Sequence, residues 1–143
     1  MRQFIHTKLL ALIFSASSAL YVGTLSAEDA PPSPLIQTQN GISFMSGGVG
    51  EGQAAAMKAA AANYSLMLTF AAPTGEYLAD VRVLIQDSKG NIILDSVSAG
   101  PMFLAQLPAG QYRLTAEYKG RTQSDAFTLK TGTPLRMTLR WPA

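Results

Sequence analysis

From Tyr64 to the end of the chain, apolar and polar residues alternate in short stretches separated by turns rich in glycine and proline. A period of two is the pattern of β-strands that bury one face. About seven such stretches follow one another, with turn signals every ~8–12 residues, as is typical of antiparallel sandwiches. The sequence therefore predicts an all-β fold, a seven-stranded antiparallel β-sandwich over residues 64–143.

The clearest turn in this region is the Pro-Ala-Gly sequence at residues 108–110. Pro108 presets φ at the first corner, and Gly110 readily takes the positive φ that closes a turn. Because residues 111–118 then alternate strictly, we expect the stretches on either side of the turn to pair as a β-hairpin.

The N-terminus has the three-part layout of a secretory signal peptide. A basic head with Arg2 and Lys8 precedes an apolar run over residues 9–22, and small residues end at Ala27. The run is shorter than the ~17–25 residues that span a bilayer, so a membrane anchor is the weaker interpretation. We expect residues 1–27 to be cleaved between Ala27 and Glu28, leaving no stable membrane span.

Two short segments lie between the predicted signal and the sandwich. Residues 28–45 are proline-rich and polar at their start, which predicts an extended, poorly ordered leader with at most a weak strand over residues 42–45. Residues 46–63 read as a glycine-rich loop and a short alanine-rich helix over residues 53–63. The loop lacks the Lys-Ser/Thr of a phosphate-binding loop.

The helix places Met57, Ala61 and Tyr64 on one face, which predicts packing against the sandwich. Its other face carries little charge. That face is interpreted as part of a packed helix, or as a small-residue surface for another protein or a second copy.

Composition excludes several kinds of chemistry. The chain has no cysteine, and its one histidine, His6, lies in the predicted signal. The exported chain therefore lacks a histidine-activated nucleophile, a cysteine nucleophile, a histidine zinc site and a thiol redox centre. Removing Arg2 and Lys8 also balances the charge, which argues against nucleic-acid binding. We expect no cofactor, no metal and no enzymatic activity.

The motifs at residues 90–95, 100–101 and 104–116 resemble those of the carboxypeptidase regulatory-like domains, which are transthyretin-like seven-stranded sandwiches. The resemblance covers residues 64–139. It implies a non-catalytic accessory, adhesive or carbohydrate-associated module. With the glycine-rich loop and helix, the chain is also similar to small exported bacterial proteins of unknown role.

Two aromatic residues and two arginines are candidates for binding. Tyr77 and Trp141, if exposed side by side, would form a surface for stacking a sugar or docking a peptide; alternatively, Trp141 closes the core. Arg136 and Arg140 share one face of the last strand. They are interpreted as a basic stripe, with Arg113 and Arg121 nearby, or as exposed arginines that aid solubility and protect a strand edge.

These observations favour an exported, non-catalytic binding or structural module of a bacterial envelope, periplasmic or secreted, that binds another envelope protein or assembly. Open strand edges would also allow a partner to add a strand. The alternative is a carbohydrate-binding module whose partner is a polysaccharide. A third class, an enzyme that uses carboxylates alone, requires two facing acids in a cleft.

Overall fold

The computed structural model describes residue 23 and residues 33–142. The predicted cleavage site between Ala27 and Glu28, and the rest of the predicted signal apart from Gly23, lie outside the described residues. None of the helices in the described part is long and apolar enough to cross a membrane. The elements are β1 Gln37–Gln39, β2 Ile42–Gly47, α1 Glu51–Ala60, β3 Leu66–Ala71, β4 Arg82–Asp87, β5 Ile92–Val97, β6 Met102–Gln106, β7 Gly110–Tyr118, β8 Arg121–Leu129 and β9 Leu135–Arg140.

The strands form two sheets. Sheet A has the order β1-β2-β6-β3-β9, and sheet B has the order β5-β4-β7-β8. Alternate residues of both sheets point inward, and Phe70, Phe103, Val83 and Leu114 are fully buried in the common core. The predicted β-sandwich is confirmed. It has nine strands in the described residues rather than seven, and it is not wholly antiparallel, because β3 and β9 run parallel.

The two additional strands are β1 and β2, which lie mostly within residues 28–45, the segment predicted to be a poorly ordered leader with at most a weak strand over residues 42–45. β1 and β2 form a hairpin around Asn40 and Gly41, both of which have positive φ. Asn-Gly is the strongest short-range signal for such a turn, because it tolerates two consecutive residues with positive φ. Ile42 and Phe44 then enter the sandwich core, so the packed unit begins well before Tyr64.

The predicted hairpin around residues 108–110 is wrong. β6 pairs with β2 and β3 in sheet A, whereas β7 pairs with β4 and β8 in sheet B. The turn carries the chain from one sheet to the other. β6 is apolar on both faces because Phe103 faces the core while Met102 and Leu104 face the helix.

Helix α1 covers the outer face of sheet A, as its predicted apolar face requires. Met57 is fully buried among Met45, Met102 and Leu104. The helix starts two residues earlier than predicted, and residues 61–63 form a 3-10 turn. Gln53 Oε1 accepts hydrogen bonds from the Gly48 and Val49 amides, so the glycine-rich loop is tied to its own helix.

Candidate functional site

The outer face of sheet A beyond the helix carries three of the four residues predicted to bind a partner, Tyr77, Arg136 and Arg140. Ala71 lies between Arg140, its partner on β9, and Tyr77, its partner in an isolated antiparallel bridge. Partners in register share a face of a sheet, and neighbouring strands are ~4.8 Å apart. Tyr77 and Arg140 therefore flank the small Ala71 side chain.

The same register continues along β9. Arg136 lies opposite Met67, and Thr138 lies opposite Thr69. Met67 and Thr69 also line a cavity of about 80 Å³ between α1 and the sheet, together with Lys58 and Tyr77. We call the surface formed by Lys58, Tyr77, Arg136, Thr138 and Arg140 the basic face.

The basic face as defined includes no acidic side chain. None of the strands of sheet A contains Asp or Glu, and among the described residues neither Arg136 nor Arg140 forms an ion pair. Sheet B differs, because Arg82 donates two hydrogen bonds to the Asp95 carboxylate, at 3.0 and 2.9 Å. The two β9 cations are therefore free for an external anion.

The two other arginines of the predicted stripe lie on sheet B. Arg113, on β7, pairs with Gln86 and Ala126, so it is separated from the β9 arginines by the sandwich. Arg121, on β8, donates to the Pro142 carbonyl at 2.6 Å. The stripe thus reduces to Arg136 and Arg140.

Trp141 does not join Tyr77 on an open surface. Trp141 is 3% exposed and packs its ring against Phe70 and Tyr118, and its Nε1 donates to the Arg121 carbonyl at 3.0 Å. Tyr77 is 69% exposed. The paired aromatic platform is therefore absent: Trp141 follows the inward-facing positions of β9 and closes the core.

One side of the sandwich, where β1 and β5 form the sheet edges, is sealed by side-chain amides. Gln39 bonds to both the backbone N–H and the carbonyl of Asp95, and Asn40 donates to the Ile93 carbonyl. These bonds occupy backbone groups on β5 that an added strand would need. β1, at three residues, is a short edge in its own right.

The opposite side, where β9 is the edge of sheet A, retains free backbone groups. The Leu135 and Trp141 amides donate to β3, to Ser65 and Ala71. In a parallel ladder the backbone groups of every second residue bond to the same neighbouring strand. The N–H and carbonyl groups of the even-numbered residues of β9 therefore point away from β3. Among the described residues, the N–H and carbonyl groups of Arg136 and Thr138 have no partner on that side.

Strand β8, the adjacent edge of sheet B, is partly blocked. Asp125 Oδ1 accepts a hydrogen bond from the Ala126 amide at 2.8 Å, in the second half of the strand. Asp125 lies opposite the buried Leu114, so its carboxylate sits on the inward face of the edge strand. Inward charges on edge strands oppose pairing with another chain. At the end of β9, Gln123 of β8 donates to the Arg140 carbonyl.

The carboxylates are dispersed. Two surface cavities of about 430 and 470 Å³ are each lined by one carboxylate, Asp87 and Glu76 respectively. Asp87 accepts hydrogen bonds from Asn91 and the Lys89 amide within its own turn, and the Asn91 bonds hold its pKa below the ordinary value. In the described part of the chain, no cluster of acidic, histidine or cysteine residues fits a metal ion.

Comparison with solved structures finds similar β domains. The 5-hydroxyisourate hydrolase of Klebsiella pneumoniae is 19% identical over 55% of this chain and 84% of its own, with a TM-score of 0.45. BcpA, the major pilin subunit of Bacillus cereus, is 16% identical over 52% of this chain and 27% of its own, with a TM-score of 0.42. The TIE protein of Bacillus anthracis is 18% identical over 55% of this chain and 16% of its own, with a TM-score of 0.44.

The chain spans most of the hydrolase but about a quarter or less of the two Bacillus proteins. None of the scores reaches 0.5, so the sandwich architecture rests on the strand pairing described above. No curated protein matches the sequence.

A family model does match. The Rhizobiales growth-associated tandem repeat domain aligns with residues 65–139, just over half of the chain, from the residue before β3 to the next-to-last residue of β9. β1, β2 and α1 lie outside the match. The match is to this family rather than to the carboxypeptidase regulatory-like domains that the motifs resemble. The chain belongs to the family of Rhizobiales growth-associated tandem repeat domains.

Proposed function

We propose that this protein is an exported, non-catalytic module of the bacterial envelope that binds another envelope protein by adding an extended segment of it beside β9. One observation carries the proposal: the outward N–H and carbonyl groups of Arg136 and Thr138 are unpaired among the described residues. The side chains of Arg136, Thr138 and Arg140 beside them are exposed.

Strand addition uses both the backbone groups and the side chains of this edge. Backbone hydrogen bonds supply affinity, and alternate side chains on the face of the sheet supply selectivity. Each new hydrogen bond contributes about 0.5–1.5 kcal/mol net, so the few available on β9 need side-chain contacts in addition. Arg136, Thr138 and Arg140 point to the face on which such contacts form.

Three further observations support the assignment. The signal-like residues 1–27 favour export to the periplasm or the medium. The family is described as growth-associated, and bacterial growth requires the envelope to be extended. The exported chain lacks histidine and cysteine, and the cavities at Asp87 and Glu76 each offer one carboxylate, which supports a role in binding rather than catalysis.

Tyr77 supports the alternative, a carbohydrate-binding module. Its ring is largely exposed, and exposed aromatic rings can stack on sugars. Because Trp141 is buried, the described residues provide a single ring here rather than a platform. A polysaccharide is therefore the second candidate partner.

The test compares proline substitutions in two edge strands. Thr138→Pro removes an outward N–H of β9 and no bond to β3, and Ser124→Pro removes the corresponding group of β8. Tagged proteins are used to capture partners from cross-linked envelope fractions, with circular dichroism to verify folding. We expect one envelope protein to be captured by the wild type and by Ser124→Pro, and lost with Thr138→Pro.

An identical set of captured proteins in all three samples would overturn the proposal. Capture of polysaccharide alone, lost with Tyr77→Ala and retained with Thr138→Pro, would establish the alternative.

A further inference from the structure

We infer that the segment added to β9 is acidic, with two carboxylates four residues apart; this inference rests on the proposed function and names the chemistry of the partner. Arg136 and Arg140 are four residues apart on one strand, so both point to the same face. At ~3.3 Å per residue their Cα atoms are separated by about 13 Å.

An added strand has the same repeat as β9. Its backbone pairs with Arg136 and Thr138, because Gln123 already binds the Arg140 carbonyl. In either orientation residue i then lies opposite Arg136, residue i+2 opposite Thr138, and residue i+4 beside the Arg140 side chain. Carboxylates at i and i+4 therefore meet both guanidinium groups on one face. Carboxylates at i and i+3 point to opposite faces, and only one of them reaches an arginine.

The surroundings of the two arginines favour an external acid. Sheet A has no acidic residue in its strands, and the carboxylate on the neighbouring edge, Asp125, accepts the Ala126 amide. On its other side Arg140 borders Ala71 and then Tyr77, neither of which is acidic. Lys58 adds a third positive charge near Tyr77.

The spacing of its two carboxylates distinguishes this partner from other polyanions. A membrane surface or a nucleic acid presents many charges and is attracted by net charge, with little dependence on the register of two side chains. A paired strand is held in register by its backbone bonds, so moving one carboxylate by one residue places it on the wrong face.

The experiment measures binding of three labelled octapeptides to the purified exported protein by fluorescence anisotropy. The first, Thr-Glu-Val-Thr-Val-Glu-Val-Thr, has acids at i and i+4. The second, Thr-Glu-Val-Thr-Glu-Val-Val-Thr, has the same composition with acids at i and i+3. The third replaces both glutamates of the first with glutamine.

We expect the first peptide to bind about three- to tenfold more tightly than either of the others, because each pair of opposite charges across two strands adds a modest amount to the binding free energy. The Arg136→Gln/Arg140→Gln variant should lose this preference. The Arg113→Gln variant, which changes an arginine of sheet B, should keep it.

Binding of none of the peptides would overturn both the acidic partner and strand addition to β9. Equal binding of the first two peptides would overturn the acidic partner. Thr138→Pro distinguishes this failure from failure of the proposed function. If all three peptides bind equally and Thr138→Pro weakens all of them, strand addition stands without the charge requirement. If Thr138→Pro leaves the binding of every peptide unchanged, β9 is not the edge that binds.

Discussion

The side chain of Gln39 occupies both backbone groups of Asp95. Its Nε2 donates to the Asp95 carbonyl at 3.2 Å, and its Oε1 accepts the Asp95 amide at 2.5 Å. A carboxamide presents one donor and one acceptor side by side, as a residue of a neighbouring strand does. Gln39 therefore occupies the backbone groups of β5 that a neighbouring strand would bind. The open edge of the sandwich is on the other side, at β9.

Replacing Gln39 with alanine should open the β5 edge. We expect Gln39→Ala to lower the free energy of unfolding by about 1–2 kcal/mol, since two partly buried hydrogen bonds are lost. The variant should also self-associate more at high concentration, because an unpaired strand edge is exposed. Urea unfolding and sedimentation velocity measure the two effects. Gln37→Ala, on the same short strand but exposed, is the control and should behave as the wild type.

Tyr112 ties down the turn that crosses between the sheets. Its hydroxyl donates to the Pro108 carbonyl at 2.6 Å, and its ring stacks on Phe127. We expect Tyr112→Phe to retain the stacking and lower the free energy of unfolding by about 1 kcal/mol. Tyr77→Phe removes a hydroxyl from an exposed ring and should leave stability unchanged in the same urea titration. Equal stability of wild type and Tyr112→Phe would show that this bond does not hold the turn.

Helix α1 is held on sheet A chiefly by Met57. Because the side chain is fully buried, Met57→Ala should lower the free energy of unfolding by about 2–5 kcal/mol. Lys58→Ala, the next residue and exposed, should stay within about 0.5 kcal/mol of the wild type. Thermal unfolding followed by circular dichroism measures both. Similar melting temperatures for the two variants would contradict the packing of the helix.

The Arg82–Asp95 pair should make stability depend on pH in the acid range. The hydrogen bonds from Arg82 hold the pKa of Asp95 below the ordinary value of 3.8. Because the folded-state pKa is the lower one, the stabilisation is present above the unfolded-state pKa and is lost as pH falls through the folded-state pKa. The difference in unfolding midpoint between wild type and Asp95→Asn should therefore shrink below about pH 4. In an Arg82→Gln background this pH dependence should disappear; its persistence there would refute the assigned cause.

Much of the sandwich could be predicted because its signals are local. Residues 111–118, which alternate strictly in the sequence, lie within β7. The Asn40-Gly41 turn was also a local signal, and it identifies the β1–β2 hairpin that the prediction lacked. The four apolar residues 102–105 indicated a strand covered on both faces, which argues against an exposed hairpin.

The sheet to which each strand belongs could not be predicted. A turn at Pro108 is compatible with a hairpin and with a crossing between sheets. The parallel pairing of β3 with β9 joins residues about 70 positions apart. The candidate site shows the same limit. The sequence places Arg136 and Arg140 on the exposed face of a strand, but that β9 is the last strand of its sheet follows only from the long-range pairing.

The most direct test of the open β9 edge is amide hydrogen exchange of the protein from Glu28 onward, resolved by residue with NMR. We predict slow exchange at Met137 and Leu139, whose amides bond to β3, and exchange faster by at least about tenfold at Arg136 and Thr138, whose amides face away. Binding of the Glu-i, Glu-i+4 peptide should slow exchange at Arg136 and Thr138. Slow exchange at all four amides in the free protein would contradict the account, since β9 would then already be paired.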